Sequence, residues 1–276
     1  MLIYYLVPGK LRNLLLFLGS LIFYAWGEPV YVILMLFSSI FNYYMGTELE
    51  RLYYDDRKQK INLIFSIIIN LAVLVFFKYY GFLLNTIGGI IGIHIPHPEL
   101  SLPIGLSFYT FRNLSYLFDI YLSKVSAQRN FLAFAVYSTM FPYTSAGPIV
   151  RYTDIETQLK QRTINISKFG IGAELFVKGL AKKVLLADNL SVLYSSICGH
   201  PQMSVFTSWL GILAYTMQLY FDFSGYSDMA IGLGKMLGFD FNKNFDYPYI
   251  STSVSEFWRR WHISRGNWFR DYIYIP

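Results

Sequence analysis

The chain has 276 residues, of which 54% are apolar and 14% charged, and its mean hydropathy is +0.38. Soluble domains carry about a quarter charged residues, so this composition excludes an ordinary water-soluble globular protein. The net charge of +6 is typical of the basic loops of a membrane protein rather than of a nucleic-acid surface, and a single cysteine, Cys198, excludes an intrachain disulfide.

Three long apolar runs open the chain, at residues 13–26, 29–45 and 61–79. A helix needs about 20 apolar residues to cross a bilayer, and these runs lack the alternation of a barrel strand. Because backbone groups in lipid must satisfy their own hydrogen bonds, we expect helical spans. The first two spans form a hairpin around the turn Trp26–Pro29, and the glycine-rich residues 81–93 are expected to lie in the membrane interface.

The middle of the chain is less regular. Residues 102–122 are apolar, whereas 131–150 contain two prolines and a glycine that interrupt a simple spanning helix, so a broken or re-entrant segment is expected. Residues 151–183 predict an amphipathic helix along the membrane surface, and 206–221 a further span. The sequence therefore predicts an all-α fold, a polytopic transmembrane helical bundle that forms one membrane domain over residues 1–276.

Ionisable side chains enter the membrane-like sequence near the C-terminus. Asp222, Asp228 and Lys235 lie in or beside an apolar stretch. Such groups are rare in membranes and usually mark a bundle interior or a substrate pathway. The alternative, that they pair with one another for structure, stays open at this point.

The densest cluster of cations and aromatic rings surrounds His262. Ser253–Glu256 has the spacing of a capping box, which predicts a helix starting near Val254. On that helix Trp258 and His262 are four residues apart and share a face, so we expect the imidazole to lie against an indole. Gly266 is a poor interior residue that is expected to end or bend the helix.

His262 has two interpretations. A nearby cation and a partly dry setting lower the pKa of an imidazole, which keeps it neutral and able to act as a base. Alternatively, a helix rich in Trp, Arg and Tyr serves only as an anchor at the membrane–water boundary.

Two other motifs are rejected: the His94–His97 pair is interrupted by a proline and lacks a third metal ligand, and the glycines of residues 232–238 have the wrong spacing for a dinucleotide loop.

A family resemblance is carried by "FSGYSDMAIGLGKMLGF", "NFDYPYISTSVSEFWRRWHIS" and "WFRDYIYIP", together with "LPIGLSFYTFRNLSYLFDIY" and "FPYTSAGPIVRY". The sequence resembles the membrane-bound O-acyltransferase superfamily in its alginate O-acetyltransferase-like branch, essentially along its whole length. The resemblance implies a helical bundle around a tunnel, multi-pass in the cell membrane. It implies transfer of an acyl group, usually acetyl, from a thioester donor (acetyl-CoA or an acyl carrier) to a hydroxyl of an exported polysaccharide.

The resemblance also implies roles for individual residues. The histidine of the family's RWH motif falls on His262, as the catalytic base. The residues expected to line the tunnel are Trp258, Arg259, Trp261, Asp222, Asp228 and Arg270. The expected partners are the lipid bilayer, the acyl donor, the polysaccharide acceptor and a periplasmic or extracellular acyltransferase protein. No metal, nucleic acid or tightly bound cofactor is expected.

The sequence departs from the family pattern in three places. The family carries a second histidine beyond the point where this chain ends, and an apolar segment before the point where it starts. Arg265–Asn267 replace small polar residues after "WHIS". We therefore expect a fragment that is inactive alone. The alternatives are a transporter or flippase-like channel, a non-catalytic scaffold of an envelope acylation complex, and D-alanyl transfer to teichoic acid.

Overall fold

The computed structural model describes residues 1–93, 96, 100–200 and 204–275, and every regular element in these ranges is helical. The α-helices are α1 Leu2–Leu6, α2 Gly9–Gly27, α3 Val32–Arg51, α4 Asp56–Ile91, α5 Leu106–Tyr121, α6 Phe131–Thr139, α7 Tyr152–Lys160, α8 Ile166–Ala181, α9 Asp188–Cys198, α10 Val205–Met236, α11 Val254–Arg260 and α12 Ile263–Phe269. The all-helical prediction is confirmed for these residues.

The chain packs as two compact units. The N-terminal unit contains Leu2–Ser145 with Arg151–Thr153, and the C-terminal unit contains Ala146–Val150 with Asp154 onward. The single membrane domain expected over residues 1–276 stays a prediction.

The N-terminal unit contains the predicted hairpin, since α2 ends at Gly27 and α3 begins at Val32. In the described chain α3 and α4 are long and apolar enough to cross a bilayer. The expected position of the glycine-rich residues 81–93 in the membrane interface stays a prediction, and helix α4 continues through most of this stretch. Its end is Gly92, whose φ of 74° provides the left-handed cap that glycine adopts without steric cost. One of the glycines in this stretch therefore caps the end of the helix.

Buried amides and hydroxyls join four helices of this unit. Asn42 of α3 and Asn70 of α4 exchange two hydrogen bonds, of 3.0 and 2.9 Å. The Asn113 amide of α5 donates to the Ser38 hydroxyl at 3.0 Å and accepts from the Ser138 hydroxyl of α6 at 3.0 Å. Polar side chains of this kind hold helices together where apolar surface alone gives no preference between a helix and lipid.

The reciprocal Asn42–Asn70 pair should behave as a coupled unit. We expect Asn42→Leu and Asn70→Leu each to destabilise the full-length protein, because each leaves the other amide buried without its partner. The double variant should lose less than the sum, by a coupling energy of about 1 kcal/mol. Unfolding in mixed micelles measures the three variants. Strict additivity would show that the two amides do not support each other.

The broken segment is confirmed at residues 131–150. Helix α6 ends at Thr139, and a 3₁₀ turn follows at Phe141–Tyr143. The Arg112 guanidinium is fully buried and donates from Nη1 to the Tyr143 carbonyl at 2.7 Å and from Nη2 to the Ser138 carbonyl at 2.9 Å. A helix that ends leaves backbone carbonyls without intrahelical donors, so Arg112 satisfies two acceptors that the break exposes.

Two long helical runs form most of the C-terminal unit. Helices α8 and α9 are joined without a loop by a π-helical turn, Lys182–Ala187. Helix α10 runs from Val205 to Met236, well past the end of the span expected at 206–221. Two helices, α7 and α8, occupy the amphipathic stretch 151–183, and its position along a membrane surface stays a prediction.

Helices α8 and α10 touch backbone to backbone through four glycines. A Cβ placed on Gly179 would lie 2.5 Å from the Gly225 carbonyl oxygen, and one placed on Gly172 would lie 2.6 Å from the Gly232 carbonyl oxygen. The glycines are seven residues apart on each helix and pair in antiparallel order. We call this contact the glycine seam. Small residues allow this approach, which is the packing found between helices in membranes.

Candidate active site

The ionisable residues of α10 pair with lysines of the neighbouring helical run and with the following loop. Lys182 Nζ lies 2.6 Å from Asp228 Oδ2, and Lys183 Nζ lies 2.8 Å from Asp222 Oδ1. Lys235 Nζ lies 3.5 Å from Asp240 Oδ1. These ion pairs give a structural reason for charges in an apolar sequence, because each partly exposed lysine and aspartate lies against a charge of opposite sign.

The helix predicted before His262 is confirmed at its start and wrong at its end. The Ser253 hydroxyl accepts from the Glu256 backbone N–H at 3.2 Å, as the capping box predicts. Helix α11 then stops at Arg260, and His262 adopts a left-handed conformation with φ 45° and ψ 54°. Trp258 and His262 therefore do not share a helical face. Gly266, which was expected to end the helix, lies inside α12.

The break at His262 has a physical cause in the loop before it. The Asp246 N–H donates to the Arg260 carbonyl and the Ile263 N–H to the Asn244 carbonyl, both at 2.9 Å. These bonds occupy backbone groups that a continuous helix would use internally. A non-glycine residue at positive φ costs about 1–3 kcal/mol and persists only where its surroundings fix it.

The His262 ring is buried against two phenylalanines, with 5% of the residue exposed. Phe223 meets the imidazole edge to face at a centroid distance of 4.7 Å, and Phe245 stacks on it at 6.3 Å. The indole expected here is a wrong prediction, since Trp258 is half-exposed. Burial, and then the charge of the Arg265 guanidinium, lower the pKa of His262 to about 4. The imidazole is therefore neutral at neutral pH.

A hydrogen-bond network holds the other edge of the imidazole. His262 Nδ1 lies 3.1 Å from Asn244 Oδ1, and the same oxygen accepts from the Ser264 hydroxyl at 2.8 Å and from the Ser264 N–H at 3.2 Å. The Ser264 hydroxyl in turn accepts from the Ile149 N–H at 2.9 Å. The Asn244 amide nitrogen donates to the Ser227 hydroxyl at 3.0 Å. Every partner of this network belongs to the C-terminal unit.

A cavity of about 600 Å³ lies next to this network. Phe245 lines the cavity and also stacks on the imidazole, so His262 lies one aromatic ring behind the cavity wall. Tyr247, another lining residue, has a left-handed φ of 44°. The lining residues are Leu175, Lys178, Ala181, Lys182, Leu185, Leu186, Tyr220, Asp228, Lys243, Phe245 and Tyr247.

The structure brings some of the predicted site residues together. Asp228 lines the cavity, and the Trp261 indole packs on Phe245 at a centroid distance of 5.1 Å and on Phe257 at 5.7 Å. Asp222 does not line the cavity, and its carboxylate forms an ion pair with Lys183.

The remaining predicted site residues lie elsewhere in the described chain. Arg259 Nε donates to the Ser255 carbonyl at 3.2 Å, and Arg270 Nε lies 2.6 Å from the carboxylate of the adjacent Asp271. Neither arginine lines the cavity, nor does Trp258. The His94–His97 pair lies outside the described residues, and the absence of a metal site stays a prediction.

Sequence reasoning missed the residues that contact His262 directly. Asn244, Phe245 and Phe223 carry no catalytic signature by themselves, and they lie 17 to 39 positions before the histidine in the chain. The available signal was the stretch "NFDYPY", which belongs to the family pattern but does not indicate which of its residues faces the imidazole.

Comparison with known proteins gives a consistent result. The model of the MBOAT, membrane-bound O-acyltransferase family, matches residues 28–276. The chain is 43% identical to the probable alginate O-acetylase AlgI of Pseudomonas aeruginosa, over 99% of this chain and 53% of that protein. It is 32% identical to a peptidoglycan O-acetyltransferase of Helicobacter pylori, over 99% of this chain and 58% of that protein.

A more distant relative is a teichoic acid D-alanyltransferase of Bacillus subtilis, 30% identical over 66% of this chain and 47% of that protein. The chain spans about half the length of the curated relatives it matches. The family match nevertheless extends over most of the chain and includes His262 and its network. The chain belongs to the membrane-bound O-acyltransferase family.

Proposed function

We propose that the full-length protein is a multi-pass enzyme of the cell membrane that moves an acetyl group from a thioester donor to a hydroxyl of an exported polysaccharide. The observation that carries the proposal is the 43% identity to an alginate O-acetylase over 99% of the chain. The buried imidazole of His262 also supports the proposal, because a neutral imidazole can act as a general base. The polytopic bundle and a periplasmic or extracellular partner protein belong to the same proposal.

The proposed reaction needs one base. The neutral imidazole takes the proton of the acceptor hydroxyl while the hydroxyl oxygen attacks the thioester carbonyl. The carbon–sulfur bond then breaks, and the departing thiolate receives a proton. The products are the O-acetyl ester and the free thiol, and the imidazole returns to its neutral form.

The cavity beside Phe245 is the proposed binding space for a substrate. Its Tyr220 and Tyr247 rings offer aromatic faces, and the Lys182–Asp228 pair offers both hydrogen-bond donors and acceptors. Reaction at His262 then requires Phe245 to turn aside, because its ring stands between the cavity and the imidazole. Trp258, Arg259, Trp261, Asp222 and Arg270 stay proposed tunnel residues whose contacts with substrate are to be tested.

The experiment uses membranes that contain the full-length protein and radiolabelled acetyl-CoA. We expect covalent label in the polysaccharide fraction, and its loss in His262→Ala. A transporter or flippase would keep moving label across the membrane without the histidine, and a scaffold would support label regardless of it. Radiolabelled D-alanine with its activating enzymes tests the second cargo, which the lower identity to the D-alanyltransferase disfavours.

The pH dependence of the reaction should show the shifted histidine. The pKa of His262 is lowered in the folded protein, so the neutral base persists as the pH falls and is lost only near pH 4, rather than near the ordinary 6.5. We expect the acid limb of kcat/KM, which reports groups of the free enzyme, to lie near pH 4. The lowered pKa of His262 also contributes to the free energy of unfolding. This contribution is fully present above pH 6.5 and is lost as the pH falls through 4. An acid limb at 6.5 would contradict the assignment.

A further inference from the structure

We infer that Asn244 is a positioning residue that fixes the tautomer of His262, so that Nδ1 carries the hydrogen and Nε2 carries the lone pair that accepts a proton. The orientation of the imidazole is independent of any substrate. Only its use in proton transfer rests on the proposed function.

The hydrogen-bond partners of Asn244 fix the orientation of its side-chain amide. Amide oxygen and nitrogen atoms are assigned from their hydrogen-bond partners. The Ser264 backbone N–H points at the atom 3.2 Å away and can only donate, so that atom must be the oxygen, Oδ1. The opposite assignment would set two N–H donors against each other. Ser227, whose hydroxyl can accept, fits the amide nitrogen on the other side.

The state of the imidazole follows from that oxygen. Oδ1 has no hydrogen to give, so a hydrogen bond to His262 Nδ1 at 3.1 Å requires a hydrogen on Nδ1. In a neutral ring the other nitrogen, Nε2, is then the acceptor. The Ser264 hydroxyl lies 3.5 Å from Nδ1, but it donates its one hydrogen to Oδ1. It therefore offers Nδ1 only a lone pair, which also requires the hydrogen on Nδ1.

The backbone fixes the position of this amide relative to the ring. The Asn244 carbonyl accepts from the Ile263 N–H at 2.9 Å. Asn244 therefore binds the backbone of the residue that follows His262, in addition to the His262 imidazole. The same contact holds the histidine in its left-handed conformation. Asn244 therefore controls both the direction of the ring and the location of its hydrogen.

An amide rather than a carboxylate at this position also matters for charge. The rings packed on the imidazole, Phe223 and Phe245, carry no charge, and Arg265 is the charged group of the described chain that acts on it. Asn244 orients the ring without a negative charge that would favour the imidazolium form. An aspartate at the same place would favour that form.

The test is ¹⁵N NMR of histidine-labelled full-length protein, in which the His262 signals are identified by their disappearance in His262→Gln. In the unsubstituted protein at pH 7 we expect a protonated Nδ1 and an unprotonated Nε2. Asn244→Leu should lose this preference and give a mixture of tautomers. Asn244→Asp should give the imidazolium at pH 7. A protonated Nε2 in the unsubstituted protein, or an unchanged spectrum in Asn244→Leu, would overturn the inference.

Kinetics adds a readout that a structural role would not move. We expect Asn244→Leu to lower kcat toward the ~10²–10⁴-fold limit of a lost base, with KM little changed. Asn244→Asp should be poor at pH 7 and recover as the pH rises, because the added carboxylate raises the pKa of His262. If Asn244→Leu fails to fold, the spectrum of the unsubstituted protein still decides the tautomer, and Asn244→Asp tests the contact through the raised pKa of His262. If the tautomer shifts as expected but His262→Ala stays fully active, the proposed function fails and the tautomer assignment stands.

Discussion

Replacing His262 by alanine in the full-length protein is expected to lower kcat for acetyl transfer by ~10²–10⁴-fold, the contribution of a positioned general base. The reason is that no other group in the described Asn244 network is a neutral base near pH 7. The measurement is incorporation of labelled acetyl groups into polysaccharide, normalised to the folded protein in the membrane. Normalisation is needed because His262 is buried and its removal leaves a cavity between Phe223 and Phe245.

The matched control is His200→Ala. This histidine is exposed and follows α9 at a distance along the chain from the network, so its removal should leave the activity unchanged. A decrease of only a few-fold in His262→Ala, with the protein folded, would reassign His262 to a structural role. An equal decrease in both variants would indicate a general effect on the protein rather than loss of a base.

The second large effect is expected at the glycine seam. In Gly179→Ala the new methyl group would lie 2.5 Å from the Gly225 carbonyl oxygen and 2.7 Å from the Met229 nitrogen. Both atoms are backbone and cannot rotate away, so α8 and α10 must separate. Overpacking typically costs 1–3 kcal/mol when side chains can adjust, and we expect a loss of about 3 kcal/mol or more here. Thermal unfolding in detergent measures it.

Gly170→Ala supplies the comparison on the same helix. A Cβ at Gly170 meets nothing within 4 Å, so this substitution should be neutral or should stabilise the helix by about 0.5–1 kcal/mol. Equal destabilisation of the two variants would mean that the loss does not come from the backbone contact at Gly179, because helix propensity favours alanine at both positions. Equal stability would mean that the backbones do not touch at Gly179.

Local signals in the sequence were sufficient for several elements. The Ser253 cap, the turn after Gly27 and the break at residues 131–150 depend on residues within a few positions of each other, so they could be predicted. The true lengths of α4 and α10 could not. Helix α10 continues past its apolar stretch because Lys182 and Lys183 of the neighbouring run pair with its carboxylates, and that pairing is long-range.

The surroundings of His262 also depend on contacts between residues that are distant in the sequence. The resemblance identified His262, but regular helical spacing placed the wrong ring beside it. The helix breaks there because Asn244 and Asp246 bind the backbone on both sides of the histidine. No pattern within residues 253–266 contains that information. The neighbours that fix the hydrogen and the burial of the imidazole come from α10 and from the loop that follows it.

The left-handed backbone of His262 has an evolutionary consequence. Glycine adopts a φ of 45° without steric cost, whereas every residue with a Cβ resists it. Selection for stability alone would therefore favour glycine at this position, and the imidazole would be lost. If His262 is the proposed base, we expect a histidine at this position in spite of the strain, as a compromise between stability and activity.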